Sequence, residues 1–228
     1  MPGVVCNDLT KVYRIKDVET HALRGIDLTI EKGEFTAVAG PSGSGKTTLL
    51  NLVGGLDSPT TGIVYIDEVD ITALPGGKLS DLRLYKLGFV FQAYNLIPVL
   101  TAMENVEYVL LLQGRSPRER RELSENILTE LGLGEIMNKR PSEMSGGQQQ
   151  RVAVARAIVH EPQVVLADEP TANLDSKTAE NLLDLMRKLN EEKQVTFIFS
   201  THDQRVMDHA RRLLHIRDGM IENDEKRG

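Results

Sequence analysis

The chain has 228 residues, of which 40% are hydrophobic and 26% are charged, and its formal net charge is −6. This composition predicts one globular α/β domain, or a core with a smaller lobe, and it excludes an extended disordered chain. The acidic balance and the absence of tryptophan argue against a broad nucleic-acid surface, and the single cysteine, Cys6, excludes a disulfide framework and a cysteine-based zinc site.

No stretch of the sequence is apolar for long enough to cross a bilayer, which requires about 20 residues. The longest uninterrupted apolar run covers residues 108–112. The N-terminus has no basic segment followed by an apolar one, so we do not expect a secretory signal. We therefore expect the chain to stay in the reducing compartment where it is made and to reach a membrane only through a partner protein.

The first part of the chain predicts strands and turns around one helix. Residues 4–5 lie in a β-rich segment, and residues 22–30 alternate roughly between apolar and polar side chains. Residues 35–39 (FTAVA) form an apolar run that ends at a glycine, which is typical of a buried parallel strand. A glycine- and serine-rich loop, a helix at 46–54 and a strand at 62–67 follow.

The middle of the chain predicts a helical lobe inserted into this α/β pattern. Residues 96–142 are rich in Glu, Arg and Leu, and residues 118–133 have helical spacing. The α/β pattern then resumes with a strand at 164–167, an amphipathic helix at 177–192 and a strand at 195–199. The charged tail, ENDEKRG, is expected to fray.

A phosphate-binding loop is predicted between the strand at 35–39 and the helix after it. Residues 40–47, GPSGSGKT, match the pattern G-x-x-x-x-G-K-[ST] in full. The glycines let successive backbone N–H groups face phosphates, the helix N-terminus adds its positive end, and Lys46 supplies a charge to the β- and γ-phosphates. The Thr47 hydroxyl is suited to bind Mg²⁺. The expected phosphate-binding residues are Gly40, Pro41, Ser42, Gly43, Ser44, Gly45, Lys46, Thr47 and Thr48.

Two carboxylates stand at the end of a second apolar strand. Asp168 and Glu169 follow residues 164–167, and ligands of open α/β sheets bind at the carboxyl ends of the strands. Asp168 is suited to bind Mg²⁺, and Glu169 is suited to activate an attacking water as a general base. An acidic turn would explain this segment on its own, but beside a phosphate-binding loop it predicts nucleotide hydrolysis.

Residues 145–148, SGGQ, predict a second helix N-terminus that is suited to an anion. The Ser145 hydroxyl and the N–H groups of Gly146 and Gly147 open the helix, and Gln148 follows them. Because one phosphate-binding loop already covers the phosphates of one nucleotide, the second site suggests a nucleotide bound by another subunit. An ordinary serine N-cap after a glycine turn is the alternative.

Together these motifs make the sequence resemble the ATP-binding subunits of ATP-binding cassette (ABC) transporters along nearly its whole length. The family's signature LSGGQ is present as MSGGQ, with Met144 in place of leucine. Residues 54–62, 88–98 and 145–157 are most similar to the lipoprotein-releasing and macrolide-export branch of the family.

The resemblance implies an α/β fold with a P-loop NTPase core around a mixed or parallel sheet. It also implies an N-terminal antiparallel β subdomain and an inserted α-helical subdomain. The nucleotide-binding core would cover residues 1–92 and 160–228, and the helical signature subdomain would cover residues 93–159.

The resemblance implies roles for four residues outside these motifs. Tyr13 lies where the family has an aromatic side chain that stacks on adenine, although a strand tyrosine packed on the core is the alternative. Gln92 matches the glutamine that links Mg²⁺ and the attacking water to the helical subdomain. His202 matches the switch histidine that contacts the γ-phosphate, and Asp175 matches a loop residue that communicates across a dimer. The implied catalytic residues are Lys46, Gln92, Glu169 and His202, and the implied metal-binding residues are Thr47, Gln92 and Asp168.

The function implied by the resemblance is that of an ATP-hydrolysing motor subunit that uses ATP and Mg²⁺. Two copies would form a homodimer around ATP and drive a separate transmembrane permease from the cytoplasmic face of the cell membrane. Export, or release of a lipoprotein, peptide or drug, would be the transport step, and nucleic acid is not an expected partner. One alternative is an ATPase that regulates cell-envelope enzymes through a membrane protein. Another is a non-transport ABC protein of DNA repair or translation, although this chain has one cassette and no room for a coiled-coil or zinc insertion.

Overall fold

The computed structural model describes residues 1–16 and 18–227, which form two β-sheets and the helices that pack on them. The strands are β1 (Pro2–Ile15), β2 (Val18–Glu31), β3 (Phe35–Ala39), β4 (Thr61–Ile66), β5 (Val69–Asp70), β6 (Leu87–Val90), β7 (Val164–Asp168), β8 (Thr196–Thr201), β9 (Arg212–Arg217) and β10 (Met220–Lys226). The helices are α1 (Lys46–Val53), α2 (Gly76–Lys86), α3 (Ala102–Leu112), α4 (Pro117–Glu130), α5 (Gly146–Ile158), α6 (Ser176–Lys193) and α7 (Gln204–His209).

The smaller sheet is antiparallel and comes from the first part of the chain. Its strand order is β2-β1-β4-β5. The long hairpin of β1 and β2 places Tyr13 opposite Thr20. The prediction of an N-terminal antiparallel β region is confirmed.

The larger sheet has the strand order β10-β9-β3-β8-β7-β6. Five of these strands run parallel, and β10 pairs with β9 in the antiparallel direction. All five residues of β3 are buried. Ala37 and Ala39 pack in one core cluster with α5 and α6, whereas Val38 packs in a second cluster with α1. Burial on both faces explains why four of the five residues of this strand are apolar, and the predicted α/β fold is confirmed.

The parallel strands bring the predicted site to one edge of the sheet. β3, β8 and β7 are neighbours, so the loops after their carboxyl ends lie side by side. Gly40 follows β3, His202 follows β8, and Asp168 is the last residue of β7. This edge is where open α/β sheets bind their ligands.

The helices α3, α4 and α5 are inserted between β6 and β7, in the region where a helical lobe is predicted. α3 and α4 begin at capping boxes formed by Thr101 with Glu104 and by Ser116 with Glu119. α4 ends at Glu130, three residues before the predicted end of that helix. The boundaries of the helical subdomain at 93 and 159 stay a prediction.

The expectation that the charged tail frays is wrong for the residues described, up to residue 227; Gly228 lies outside them. Residues 220–226 form β10 along β9. Arg212 donates two hydrogen bonds to the Asp224 carboxylate, at 2.8 and 2.7 Å, and its side chain is 8% exposed. A bidentate ion pair between this buried arginine and the exposed Asp224 holds the last strand in place. Within the described residues, no helix combines the length and the apolar character that crossing a membrane requires.

Candidate active site

The loop between β3 and α1 lies so close to its neighbours that two of its positions accept only glycine. A Cβ atom on Gly40 would lie 2.1 Å from the carbonyl oxygen of Ile216, and one on Gly45 would lie 2.6 Å from that of Ala22. Gly45 also has a φ of 108°, a value that residues with a Cβ atom rarely adopt. The loop leads into the N-terminus of α1, where free N–H groups and the helix dipole favour an anion.

Lys46, the first residue of α1, is a buried cation without an anion. The residue is 7% exposed, and its Nζ donates to the carbonyl oxygens of Gly40 at 2.8 Å and Pro41 at 2.9 Å. Within residues 1–16 and 18–227, no carboxylate pairs with it. A buried charge is unfavourable unless it is paired, so this ammonium favours binding of a negatively charged group at the loop.

The end of β7 contacts the start of α1 through side-chain oxygen atoms of Asp168 and Thr47. Thr47 Oγ1 donates to Asp168 Oδ1 at 3.0 Å, and the Ser200 hydroxyl donates to the same carboxylate. Among the residues that the structure describes, no group of three or more His, Cys, Asp and Glu side chains is arranged to hold a metal ion. Mg²⁺ prefers oxygen ligands and often takes only one or two from protein beside substrate phosphates. Thr47 and Asp168 therefore fit a Mg²⁺ ion shared with phosphate oxygens.

Glu169 follows β7 and contacts a histidine with one of its two carboxylate oxygens. Its Oε1 is 2.6 Å from His202 Nδ1, and its backbone N–H donates to the carbonyl oxygen of Ser200 at 3.0 Å. Its φ of 46° is unusual for a residue other than glycine and is typical of functional sites. Oε2 is buried and has no hydrogen-bond partner within the described part of the chain. The Glu169 side chain lines a cavity that also contains Lys46, where a carboxylate is suited to take a proton from a water molecule.

A cavity of about 660 Å³ joins these groups. It is lined by Thr20, His21, Ala22, Pro41, Ser42, Gly43, Gly45, Lys46, Thr47, Thr48, Gln92, Glu169 and His202. The structure thus brings together most of the predicted loop and all four of the predicted catalytic side chains, Lys46, Gln92, Glu169 and His202. Gly40 contributes its carbonyl bond to Lys46, and the Ser44 side chain is buried. The three lining residues of β2 were not predicted, because only the register of the hairpin places them here.

Tyr13 lies next to this cavity. Thr20, its partner across the β1–β2 hairpin, is a lining residue. The Tyr13 hydroxyl donates to Asp57 Oδ2 at 2.9 Å, and Lys11 Nζ lies 4.8 Å from the ring centroid. Partial burial and the bond to Asp57 raise the pKa of the phenol. With 36% exposure, Tyr13 is not a core residue. Its stacking on a base stays a prediction.

The signature segment 145–148 contributes no residue to the lining of the cavity that contains Lys46. Ser145 Oγ accepts a hydrogen bond from the Gln148 N–H at 3.3 Å, and Gln148 Oε1 accepts one from the Ser145 N–H at 2.9 Å. The serine N-cap is therefore confirmed. A nucleotide at this helix N-terminus, formed with Gly146 and Gly147, stays a prediction, and it would have to be bound by a second copy of the chain.

Asp175 also caps a helix, α6. Its carboxylate accepts hydrogen bonds from the Thr178 N–H at 3.0 Å and from Thr178 Oγ1 at 2.6 Å. These bonds lower the pKa of the carboxyl group. The loop before it contacts the loop of Gln92, because Asn173 Nδ2 donates to the Gln92 carbonyl oxygen at 2.8 Å. The role of Asp175 across a dimer stays a prediction.

Comparison with known protein families and sequences gives consistent matches. Residues 23–172 match the family model described as ABC transporter. An ABC transporter ATP-binding protein of Thermotoga maritima, itself uncharacterised, is 45% identical over 97% of this chain and 94% of its own length. The lipoprotein-releasing system ATP-binding protein LolD of Anaeromyxobacter dehalogenans is 44% identical over 98% of this chain and 94% of its own length. The macrolide export ATP-binding/permease protein MacB of Syntrophobacter fumaroxidans is 48% identical over 97% of this chain and 31% of its own length.

Solved structures agree with these matches. A dimeric ABC transporter cassette from Methanocaldococcus jannaschii has a TM-score of 0.92 and 45% identity to this chain, with 99% of both chains covered. A dimeric post-hydrolysis state of the same cassette, bound to ADP and Pi, has the same TM-score of 0.92. The predicted resemblance and its branch are confirmed.

Proposed function

The chain belongs to the ABC transporter family as an ATP-hydrolysing cassette, and from this premise we propose that it works with Mg²⁺ as a homodimer that drives a separate membrane permease. The observation that supports this most is the convergence of Lys46, Glu169 and His202 on one cavity. We assign the dimer to the cytoplasmic face of the cell membrane. The branch resemblance favours export, or release of a lipoprotein, peptide or drug.

In the proposed reaction, Lys46 and the N–H groups at the start of α1 bind the β- and γ-phosphates and stabilise the charge that develops there. Thr47 and Asp168 would hold Mg²⁺, which neutralises phosphate charge when it is bound. Glu169 accepts a proton from the water that attacks the γ-phosphorus, as the bond between that phosphorus and the ADP oxygen breaks. His202 holds Oε1 of Glu169 and faces the γ-phosphate. Gln92 helps to orient the water.

Lys46→Ala tests whether the loop binds phosphate. The substitution removes the buried ammonium that has no anionic partner, so we expect ATP affinity and turnover to fall together. ATP titration followed by calorimetry and phosphate release would measure both. Lys188→Ala, which removes an exposed lysine paired with Glu192 at 3.8 Å, is the matched control and should match the wild type. Unchanged ATP affinity in Lys46→Ala would contradict the assignment.

We propose that the permease docks in a groove beside the Gln92 loop. This groove has a volume of about 370 Å³ and is lined by Leu56, Arg83, Leu84, Leu87, Gly88, Phe89, Phe91, Asn95, Val109, Arg156, Ala157 and His160. Leu56, an apolar lining residue, is 48% exposed. Its two guanidinium groups pair with no carboxylate among the residues described. These features favour an apolar permease segment that contains an acidic residue.

A photo-cross-linking amino acid at Leu56 tests this docking in cells. We expect it to link to an integral membrane protein. The same probe at Val69, an aliphatic residue of β5 with 43% exposure, should not do so. Identification of the linked protein also distinguishes the two alternative functions. A permease would indicate transport, whereas a membrane protein that regulates cell-envelope enzymes would indicate the regulatory function. A link from Leu56 to non-membrane proteins alone would contradict the proposed surface.

A further inference from the structure

The turn that contains Gln92 has a strained backbone. Tyr94 and Asn95 have φ values of 60° and 50°, so two successive residues other than glycine lie in the left-handed region. Such a conformation is unfavourable and persists where the surroundings hold it in place. The turn has two hydrogen bonds of its own, from the Tyr94 N–H to the Phe91 carbonyl at 3.1 Å and from the Asn95 N–H to the Ala93 carbonyl at 2.6 Å. The orientation of Gln92 therefore depends on what supports this turn.

Arg156 of α5 supplies that support from outside the turn. Its NH1 donates to the Asn95 carbonyl oxygen at 2.5 Å, and its NH2 donates to the Tyr94 carbonyl oxygen at 3.0 Å. No carboxylate in the described ranges pairs with Arg156, and burial lowers the pKa of its guanidinium. The two carbonyl oxygens therefore compensate for the hydration that the Arg156 guanidinium loses on burial. The planar guanidinium of arginine can donate to two successive carbonyl oxygens at once, whereas the compact ammonium of lysine lacks that geometry.

The same turn contacts both segments that are expected to act on a nucleotide bound by a second copy. A Cβ atom on Gly146 would lie 2.8 Å from the Tyr94 hydroxyl, so this tyrosine packs against the first turn of α5. Asn173, in the loop before Asp175, donates to the Gln92 carbonyl oxygen at 2.8 Å. The turn therefore joins Gln92 to the signature helix at two places and to the loop that caps α6.

We propose that Arg156 is a positioning residue that fixes the Gln92 turn to α5, so that Gln92 and the signature helix move as one body. The proposal rests on the proposed function, because it assigns to Gln92 a role in hydrolysis. Arg156 does not line the cavity that contains Lys46, so it acts through Gln92 and not on the nucleotide. Loss of the clamp frees the turn to leave its left-handed conformation, and Gln92 is then misplaced when the site closes.

The first experiment compares Arg156→Met and Arg156→Lys with the wild type. We expect kcat to fall about 10- to 100-fold in both variants, because a misplaced group near the reaction weakens catalysis strongly. ATP affinity in direct titration should be unchanged, because Lys46 and its loop are intact. Arg120→Met is the matched control. Arg120 is a half-buried arginine of α4 that also donates to a backbone carbonyl, that of Arg115 at 2.9 Å, which lies outside the Gln92 turn.

The second experiment is a double-mutant cycle with Gln92→Ala. If Arg156 acts through Gln92, then Arg156→Met lowers kcat in the wild-type chain and has no further effect in the Gln92→Ala chain. A merely structural role would lower the melting temperature and reduce kcat by the same factor in both backgrounds. Should Arg156→Met fail to fold by circular dichroism, Arg156→Lys, which retains the stem and the charge, takes its place in the cycle.

The inference would be overturned by independent, multiplicative losses in the cycle, by a loss of ATP affinity that equals the loss of kcat, or by wild-type kcat in Arg156→Met. Failure of the proposed function is distinguishable, because the wild-type chain would then show no ATP hydrolysis above the Lys46→Ala background. A Gln92→Ala chain with wild-type kcat beside a slow Arg156→Met chain would also overturn the inference, since Arg156 would then act by another route.

Discussion

Glu169→Gln is expected to bind ATP normally and to hydrolyse it about 10²–10⁴-fold more slowly. The amide keeps the shape of the side chain, and its oxygen can still contact His202 Nδ1, which lies 2.6 Å from Glu169 Oε1. It cannot accept the proton of the attacking water, because a neutral amide lacks the negative charge and the basicity of a carboxylate. ATP titration and single-turnover phosphate release would separate binding from chemistry.

A second carboxylate–histidine pair provides the control for this substitution. Asp184 Oδ1 lies 3.2 Å from His209 Nε2, and neither residue lines the cavity that contains Lys46. Asp184→Asn makes the same chemical change there, so it should hydrolyse ATP at the wild-type rate. Turnover near the wild-type rate in Glu169→Gln would remove Glu169 from the role of general base.

The structure matches the sequence best where a packing constraint leaves a local pattern of residue types. The bounds of β3 are predicted to the residue because a strand buried on both faces is mostly apolar, and its one polar side chain, Thr36, donates to Glu34 Oε2 at 3.0 Å. The loop after it was predicted because close packing at Gly40 and Gly45 excludes any side chain, which leaves a visible pattern of glycines. α2 gave no such signal. It begins with two glycines, has no side-chain cap and buries none of its residues.

The parts of the site that depend on distant contacts could not be predicted. His21 lines the cavity because of the register between β1 and β2, which has several irregularities along the hairpin. Arg156 meets the Gln92 turn across 61 residues of sequence, and nothing near either segment indicates that contact. The last strand depends on the pairing of Arg212 with Asp224. The signature segment matches its motif, yet one chain alone does not place it at a nucleotide.

The second prediction with a large effect concerns dimer formation that depends on ATP. If Ser145, Gly146 and Gly147 bind the γ-phosphate of ATP held by another copy, each site needs residues of two chains. The Glu169→Gln chain should then be mostly monomeric without nucleotide and dimeric with ATP, because it does not destroy the ATP that it binds. ADP lacks the bridging γ-phosphate and should not support the dimer, since a ligand shifts an equilibrium only by its differential affinity. Sedimentation with ATP, ADP or no nucleotide would measure this.

Mixing two inactive variants isolates the action across the dimer. Lys46→Ala lacks a working phosphate-binding loop, and Ser145→Arg lacks a working signature, so both sites fail in each homodimer. In a mixed dimer, the Lys46→Ala chain supplies an intact signature to the intact loop of the Ser145→Arg chain, and one complete site is restored. The other site combines the two defective halves. We therefore expect ATPase activity to reappear on mixing and to reach at most half of the wild-type value for each mixed dimer.

The control must separate this effect from the loss of a helix cap, because Ser145 Oγ also accepts the Gln148 N–H at 3.3 Å. Ser116 caps α4 through the same kind of box, so Ser116→Arg removes an equivalent cap elsewhere. We expect Ser116→Arg to keep its activity and the Ser145→Arg homodimer to lose it. Activity could stay low in the mixed dimer if both sites must hydrolyse together, so ATP-dependent heterodimers are scored as well with two differently tagged chains. If wild-type chains dimerise under the same conditions while the mixture yields neither activity nor heterodimers, the signature does not act on the nucleotide of the other chain.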